Sequence, residues 1–407
     1  MSSTLNARLA LHGGDPVRDE AKRPWPTWPI HDERERENLL GVLESGAWWY
    51  GEQVAAFEAA FAKHQDALHC VSCTSGTTGG EVAVQALNLE PGDEVIVPPY
   101  TFIATATAVL RMGATPVFAD VDDSWCLDPE AAEAAITPRT KALMPVHFGS
   151  RVADMDRLRT IADRHGLVII EDACHSWGSK WMGKGTGALG LAGFFSFQAS
   201  KNISAGEGGA ILTDDAEFAE TCRSITNCGR TPGGGPWFHD GAIGTNARIT
   251  ELTAALLLAQ LSRLQEQTAL REHNAAFLDE ALSEVEGLTP QAGDPRMTQR
   301  AYHLYPMRLD PEAFGCSREN FAAAARAEGL PITTGYPLPL HAQPVFKNAA
   351  RAIDYTKVSC PVAEDLCYRS GVWFHHRLLL AGENDMAEIA AIIRKVQRNA
   401  PKLQDQH

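Results

Sequence analysis

Met155-Asp-Arg-Leu-Arg-Thr-Ile-Ala-Asp-Arg-His165, followed after one glycine by Leu167-Val-Ile-Ile-Glu-Asp172, is the stretch that decides the fold. Its first half carries apolar residues at helical spacing, and its second is a short apolar run of strand type that ends on two carboxylates. The same alternation recurs on both sides. Val95-Ile-Val-Pro98, Thr115-Pro-Val-Phe-Ala-Asp120 and Lys141-Ala-Leu-Met-Pro-Val-His147 read as earlier strands, and Phe194 to Phe197 and Ala210-Ile-Leu-Thr213 as later ones. Ala104 to Met112 and Glu130 to Ile136 supply the helices between. Strands alternating with helices predict an α/β fold with a large, mostly parallel sheet, whose ligands sit at the carboxyl ends of the strands. Tyr100, Thr101, Phe102, Asp120, His147 and Asp172 follow those ends and are the first residues to weigh.

Farther along, Thr231-Pro-Gly-Gly-Gly-Pro-Trp237 predicts a loop, and Ile249 to Leu278 predicts one long helix. Tyr302 to Leu309 alternates like a strand, Ser317 to Ala327 like a helix, Val372 to Leu379 like a strand, and Asp385 to Asn399 like a closing helix. That order predicts a smaller α+β unit after about residue 270.

The 407 residues suffice for more than one core. A net charge of −15, from 36 basic and 51 acidic residues, argues against a nucleic-acid binder, which needs a basic surface. No apolar run is long enough to span a membrane. Met1 to Glu20 lacks a basic-then-apolar signal, and nine cysteines in so large a chain read as reduced thiols, so a cytoplasmic location is expected. Cys70 and Cys73 form one C-x-x-C with no second pair at zinc-ligand spacing, so no metal site is expected. Gly178 to Lys184 mimics the start of a P-loop but continues with Gly185 where Ser or Thr should bind magnesium, which excludes that reading.

Three features carry chemistry. Lys201 lies between two apolar runs, after aromatic and small residues and just before Gly206-Glu-Gly-Gly209. It suits an amine desolvated enough to form a Schiff base, or a lysine that snorkels to water from a strand end. Asp172 suits a carboxylate facing a pyridine nitrogen or a helix cap, and His175 would share its face on a helix. Ser75-Gly76-Thr77-Thr78-Gly79-Gly80, ahead of a helical stretch from Glu81 to Leu89, suits a phosphate cradle at a helix start or a plain cap. A phosphate cradle, then an aspartate, then a lysine are, in that order, the parts of a pyridoxal-phosphate site.

The chain resembles the DegT/DnrJ/EryC1/StrS aminotransferases. The motifs that carry the resemblance are Ser75-Gly-Thr77, Gly92 to Pro98, Thr101-Phe-Ile-Ala-Thr105, Ile136 to Thr140, Val146-His147, Glu171-Asp-Ala173, Phe195-Ser-Phe197, Lys201 with Gly206 to Gly209, and Asn246-x-Arg248. Gly46 to Tyr50, Ser196 to Gln198, Asn227 to Arg230 and Val372 to Arg377 are similar to 3-amino-5-hydroxybenzoate synthases. Leu11 to Arg18 is similar to cyclitol (inosose) aminotransferases. The resemblance implies a fold type I, aspartate aminotransferase-like architecture: an N-terminal arm over 1–20, a large cofactor domain over 21–268 and a small domain over 269–407. It also implies that Lys201 bonds covalently to pyridoxal 5'-phosphate while Asp172 pairs with the ring nitrogen. Gly76, Thr77, Thr78 and Ser196 would hold the phosphate, Phe102 would lie against the ring, and His175 would lie near its phenolic side. Asn246 would reach the phosphate of a neighbouring subunit in a homodimer with shared sites.

The implied reaction moves an amino group from glutamine or glutamate to a ketone of a sugar, cyclitol or related ring, in antibiotic or other secondary metabolism. Tyr50, Arg230, Arg248, His375 and His376 are candidates for the substrate rim, with surface, packing or ion-pair roles as the alternatives. On a strand, His375 and His376 would face opposite ways, leaving at most one toward the pocket. Two rival readings are an aromatising synthase of the aminohydroxybenzoate type and a binding or regulatory protein without turnover. Thr78-Gly79-Gly80 departs from the family's usual helix start and is expected to loosen its first turn.

Overall fold

The computed structural model describes residues 8–231, 239, 241–348 and 353–403. The predicted loop beyond Thr231, and residues 1–7 of the predicted arm, lie outside the described residues. The main sheet has seven strands: β1 (His69–Cys73), β2 (Glu94–Val97), β3 (Thr115–Phe118), β4 (Thr140–Leu143), β5 (Val168–Asp172), β6 (Ala192–Ser196) and β7 (Gly209–Thr213). Their spatial order is β1-β7-β6-β5-β4-β2-β3. Strands β2 to β6 pair in parallel, while β7 is antiparallel to both β1 and β6. The sheet is therefore mostly parallel, as the alternation predicts. His69–Cys73 is the strand that periodicity missed. Within it the cysteines are buried and unpaired, and burial pushes the Cys70 thiol well up and the Cys73 thiol up to about 12.

After α1 (Glu33–Ser45) and α2 (Glu52–His64), helix α3 (Gly76–Ala86) begins five residues earlier than its apolar pattern suggests. Gly79 and Gly80 do not loosen it; they let it lie directly on the sheet. A Cβ on Gly79 would stand 3.2 Å from Phe194 Cβ, and one on Gly80 would stand 3.2 Å from the Phe194 ring and 3.3 Å from Ala108 Cβ. The predicted 249–278 helix is in fact two, Glu251–Leu261 and Leu264–Leu282, broken at Ser262 and Arg263. The second of these runs on through residue 268. A four-stranded antiparallel sheet, from Leu288–Pro290, Leu304–Leu309, Ile332–Thr333 and Gly371–His375, forms the later layer with helices Arg318–Ala327 and Glu383–Asn399. Leu9 and Trp25 pack into this later core, and buried Arg18 reaches Asp385 at 2.6 Å and Glu388 at 2.8 Å. Among the described residues no helix is long and apolar enough to cross a membrane.

The Gly178–Lys184 segment forms a short hairpin, Lys180–Trp181 against Lys184–Gly185, and not a strand-loop-helix. Strand β5 owes its fixed register to Glu171, which is fully buried. Its carboxylate accepts the backbone N–H groups of Gly187 (2.7 Å), Leu189 (2.7 Å) and Gly190 (2.9 Å), and faces His147 Nε2 at 2.9 Å. His147 Nδ1 accepts the Ala153 N–H, so Nε2 carries the proton that meets Glu171. Both residues therefore hold the fold and neither faces a ligand. Glu171→Gln would put an amide donor where donors already converge. We expect a loss of about 2–3 kcal/mol from stranding one buried N–H, read as a lowered urea midpoint.

Candidate active site

The carboxyl ends of β5 and β6 and the start of α3 meet at one cavity of about 490 Å³. Alternation along β5 turns Glu171 into the protein and Asp172 toward this cavity. Asp172 is 5% exposed; its Oδ2 accepts the Thr105 hydroxyl at 2.7 Å and its Oδ1 the Cys174 N–H at 3.2 Å. Thr105 Oγ1 lies 3.0 Å from Thr101 Oγ1, so two hydroxyls in succession back the carboxylate. Both oxygens keep a lone pair for a donor in the cavity.

Lys201 enters from the turn between β6 and β7. Burial lowers its ammonium pKa, against Cys174 and Asp172, which raise it, and its Nζ lies 5.7 Å from the centre of the Trp177 ring. Desolvation of this kind makes a lysine nucleophilic. Burial also drives His175 well below the usual imidazole range, helped by Lys201 and His375, so its ring is neutral beside the amine. Burial, then Asp172, pushes the Cys174 thiol well up and keeps it protonated.

At the third corner Ser75 caps α3, its Oγ accepting the Thr78 N–H at 3.1 Å. The Gly76 and Thr77 N–H groups open the helix and have no acceptor within it. Ser75, Gly76, Thr77 and Ser196 all line the cavity. A Cβ on Gly76 would come within 2.6 Å of Ser196 Cβ and 3.0 Å of Cys174 Sγ, so only glycine lets these donors approach β6. This is a cradle for an anion, with a positive helix end and two hydroxyls. Phe102 lines the same cavity and is 60% exposed. An amine, a carboxylate and a phosphate-sized cradle in one cavity fit pyridoxal phosphate.

Some candidates lie elsewhere. Thr78 spends its N–H on Ser75 and its hydroxyl beside Ser75 and Thr74, off the cavity. Tyr50, Arg230 and Arg248 line a second cavity of about 220 Å³, where Asn227 Oδ1 accepts from both Arg248 (2.9 Å) and Arg230 (3.2 Å). Tyr50 donates to Glu58, and burial followed by Glu58 pushes its pKa up to about 12. Asn246 is exposed and pairs through its backbone with Asn227, so it does not meet Lys201 within one chain. His375 ends a strand while His376 opens a 3-10 turn, so they do not alternate; both reach the Ser200 carbonyl and neither lines the cavity. Tyr100 and Asp120 are structural: Tyr100 lies buried among aromatic rings, and Asp120 accepts the N–H groups of Val362 and Ala363. Sequence reading missed Thr105, Trp177, Cys174 and Glu207. Only Thr105 left a signal, since Thr101 and Thr105 are four apart at a helix start.

Fold and site together define a pyridoxal-phosphate type of transferase. The model of the DegT/DnrJ/EryC1/StrS aminotransferase family matches residues 29–394, and the chain belongs to this family of pyridoxal-phosphate-dependent aminotransferases. It is 39% identical over 428 residues to L-glutamine:2-deoxy-scyllo-inosose aminotransferase of Streptoalloteichus tenebrarius, covering 98% of this chain and 100% of that protein. It is 39% identical over 376 residues to 3-amino-5-hydroxybenzoate synthase of Amycolatopsis mediterranei, covering 91% and 96%. A crystal structure of 3-amino-5-hydroxybenzoic acid synthase superposes with a TM-score of 0.85 at 38% identity, over 92% of this chain and 99% of that one.

Two outcomes follow. Thr105→Val strips a hydroxyl donor from a buried carboxylate and should lower kcat/KM about 10- to 100-fold, the equivalent of about 1.5–3 kcal/mol, in steady-state assays. The lowered Lys201 pKa means its neutral amine appears at lower pH than that of a surface lysine. In cofactor-free protein, acylation followed by mass spectrometry should therefore mark Lys201 at a lower pH than exposed Lys22.

Proposed function

We propose that the chain is a glutamine-dependent aminotransferase acting on a ketone of a cyclitol. The observation that carries the proposal is the half-buried Lys201 amine sharing one cavity with Asp172 and the start of α3. The names of relatives matched over nearly the whole chain direct it to a cyclitol and to glutamine.

Pyridoxal phosphate, when bound, supplies an aldehyde that captures amines and a ring that accepts electrons. Asp172 would face the ring nitrogen, and the hydroxyl pair Thr105 and Thr101 holds that carboxyl in place. Gly76, Thr77 and Ser196 would hold the phosphate, Phe102 would cover the ring, and neutral His175 would stand near its phenolic side. Lys201 Nζ would take a proton from the amino donor's α-carbon and return it two bonds away, to the carbon beyond the amino nitrogen, then do the reverse on the acceptor. A lowered pKa suits an amine that must both take up and give back a proton.

The second cavity completes the site of a neighbouring subunit. Exposed Asn246 and the Asn227–Arg230–Arg248 group would face the partner's phosphate and substrate across a homodimer interface. Exposed Trp49, which lines that cavity, and its exposed chain neighbour Trp48 support the reading. We also take 21–268 and 269–407 as the large and small domains, and a cytoplasmic location. The relation to 3-amino-5-hydroxybenzoate synthase favours a second reading, in which the arginines bind a carboxylate and the product is aromatised.

The test is optical. Purified protein should be yellow, and glutamine should bleach it. A ketocyclitol should then restore the colour faster than keto-sugars or cyclic keto acids. Restoration by a keto acid alone, with release of an aromatic amine, would select the second reading. Lys201→Ala should lose the visible band and at least about 10²–10⁴ of the rate. A variant that keeps both ends the assignment.

A further inference from the structure

The Lys201 backbone is held by residues far from it in sequence. His375 Nε2 lies 2.7 Å and His376 Nε2 3.1 Å from one acceptor, the Ser200 carbonyl oxygen. A carbonyl only accepts, so both nitrogens must carry protons. For His376 this is enforced from behind. Its Nδ1 stands 3.2 Å from Arg271 NH2, a group that only donates, so Nδ1 must accept and Nε2 must hold the hydrogen. Arg271 itself is fully buried on Leu264–Leu282. The far edge of the same peptide unit is also fixed, since Lys201 N–H donates to the Gln198 carbonyl at 2.8 Å. On the next unit, the Lys201 carbonyl accepts the Trp28 indole N–H at 3.1 Å. Trp28 in turn packs edge-on against the His376 ring, centroids 4.5 Å apart.

His303 stands beside this pair, with one nitrogen of each of the three imidazoles within 4.8 Å of the others, the spacing of a metal site. The hydrogen bonds argue against one. His376 has both nitrogens engaged, and His303 gives Nδ1 to Asn202 Oδ1 at 3.0 Å. With His375 Nε2 on the carbonyl, only one nitrogen of His375 and one of His303 remain, too few for a stable three-histidine centre.

We infer that His375 and His376, with the His376 tautomer set by Arg271, are positioning residues that fix the Ser200–Lys201 peptide and so aim the Lys201 amine into the cavity. Through them the strand Gly371–His375 and the N-terminal Trp28 hold the lysine that the sheet alone presents on a turn. The inference rests on the proposed role of Lys201 as the proton-carrying amine.

Hydrogen–deuterium exchange on cofactor-free and loaded protein is the primary test. In the double variant His375→Ala/His376→Ala, exchange across residues 198–203 should speed up tenfold or more while β5 stays unchanged. In the loaded enzyme kcat should fall 10- to 100-fold with KM for glutamine altered less than threefold, and His375→Gln, which keeps an N–H donor, should retain most of the rate. If the double variant does not fold, Trp28→Phe and His376→Phe singly must each raise exchange in the same segment. Unchanged exchange in these variants overturns the inference, whatever Lys201 does. Zinc binding to wild type in the micromolar range, lost in His303→Ala, would overturn it in favour of a metal centre. Failure of the Lys201 role would show separately, as a visible band that survives Lys201→Ala.

Discussion

The site depends on a carboxylate that takes no part in the chemistry. Glu171 is sealed in the interior with four donors around it, and a buried charge so fully hydrogen-bonded has one acceptable position. Because side chains alternate along a strand, fixing Glu171 inward fixes Asp172 outward. A slip of one residue would bury the wrong acid and leave three backbone N–H groups without a partner. The loop 187–190, strand β5 and His147 are thus a single unit, and the cavity wall forms wherever that unit forms.

The other corners are built from the same economy of contact. Glycine at position 76 lets backbone donors reach the floor of the cavity, and Gly79 and Gly80 keep α3 flat on Phe194. The lysine is the only one of the three principal groups carried on a turn, and it is also the one with the most outside support. The carboxylate and the anion cradle sit on a strand end and a helix start, and the amine between them is held on its turn by side chains from outside the main sheet.

Much of this was legible in the sequence because it follows from strict periodicity. Alternating strands and helices gave the parallel sheet, and strand ends gave Asp172 and the neighbourhood of Phe102. Lys201 stood out as a charge in an apolar setting. What periodicity does not encode is which strand-end residue turns inward: His147 and Asp120 looked equal to Asp172 and prove structural. Strand β1 was hidden because its alternation is blurred by Cys70, Ser72 and Cys73, all of them buried. The α3 start was placed late because glycines there read as a turn, when they are instead demanded by close packing. His375 and His376 misled for a different reason. The strand stops between them, and a one-residue change of backbone geometry is invisible to a pattern of period two.

The packing of Leu9, Arg18 and Trp25 into the later core has a consequence for how the chain comes into being. These residues are synthesised long before Asp385, Glu388 and the helix that carries them. The main sheet can assemble as it is made, since its strands lie between 69 and 213. The second core has to wait, its opening segment idle until the helix Glu383–Asn399 has been synthesised. Trp28, which bonds to the Lys201 carbonyl, belongs to the same early segment. The supports that His375 and His376 lend the lysine therefore arrive only after the main sheet is made, and a chain interrupted between the two would own a complete sheet but an amine without that support.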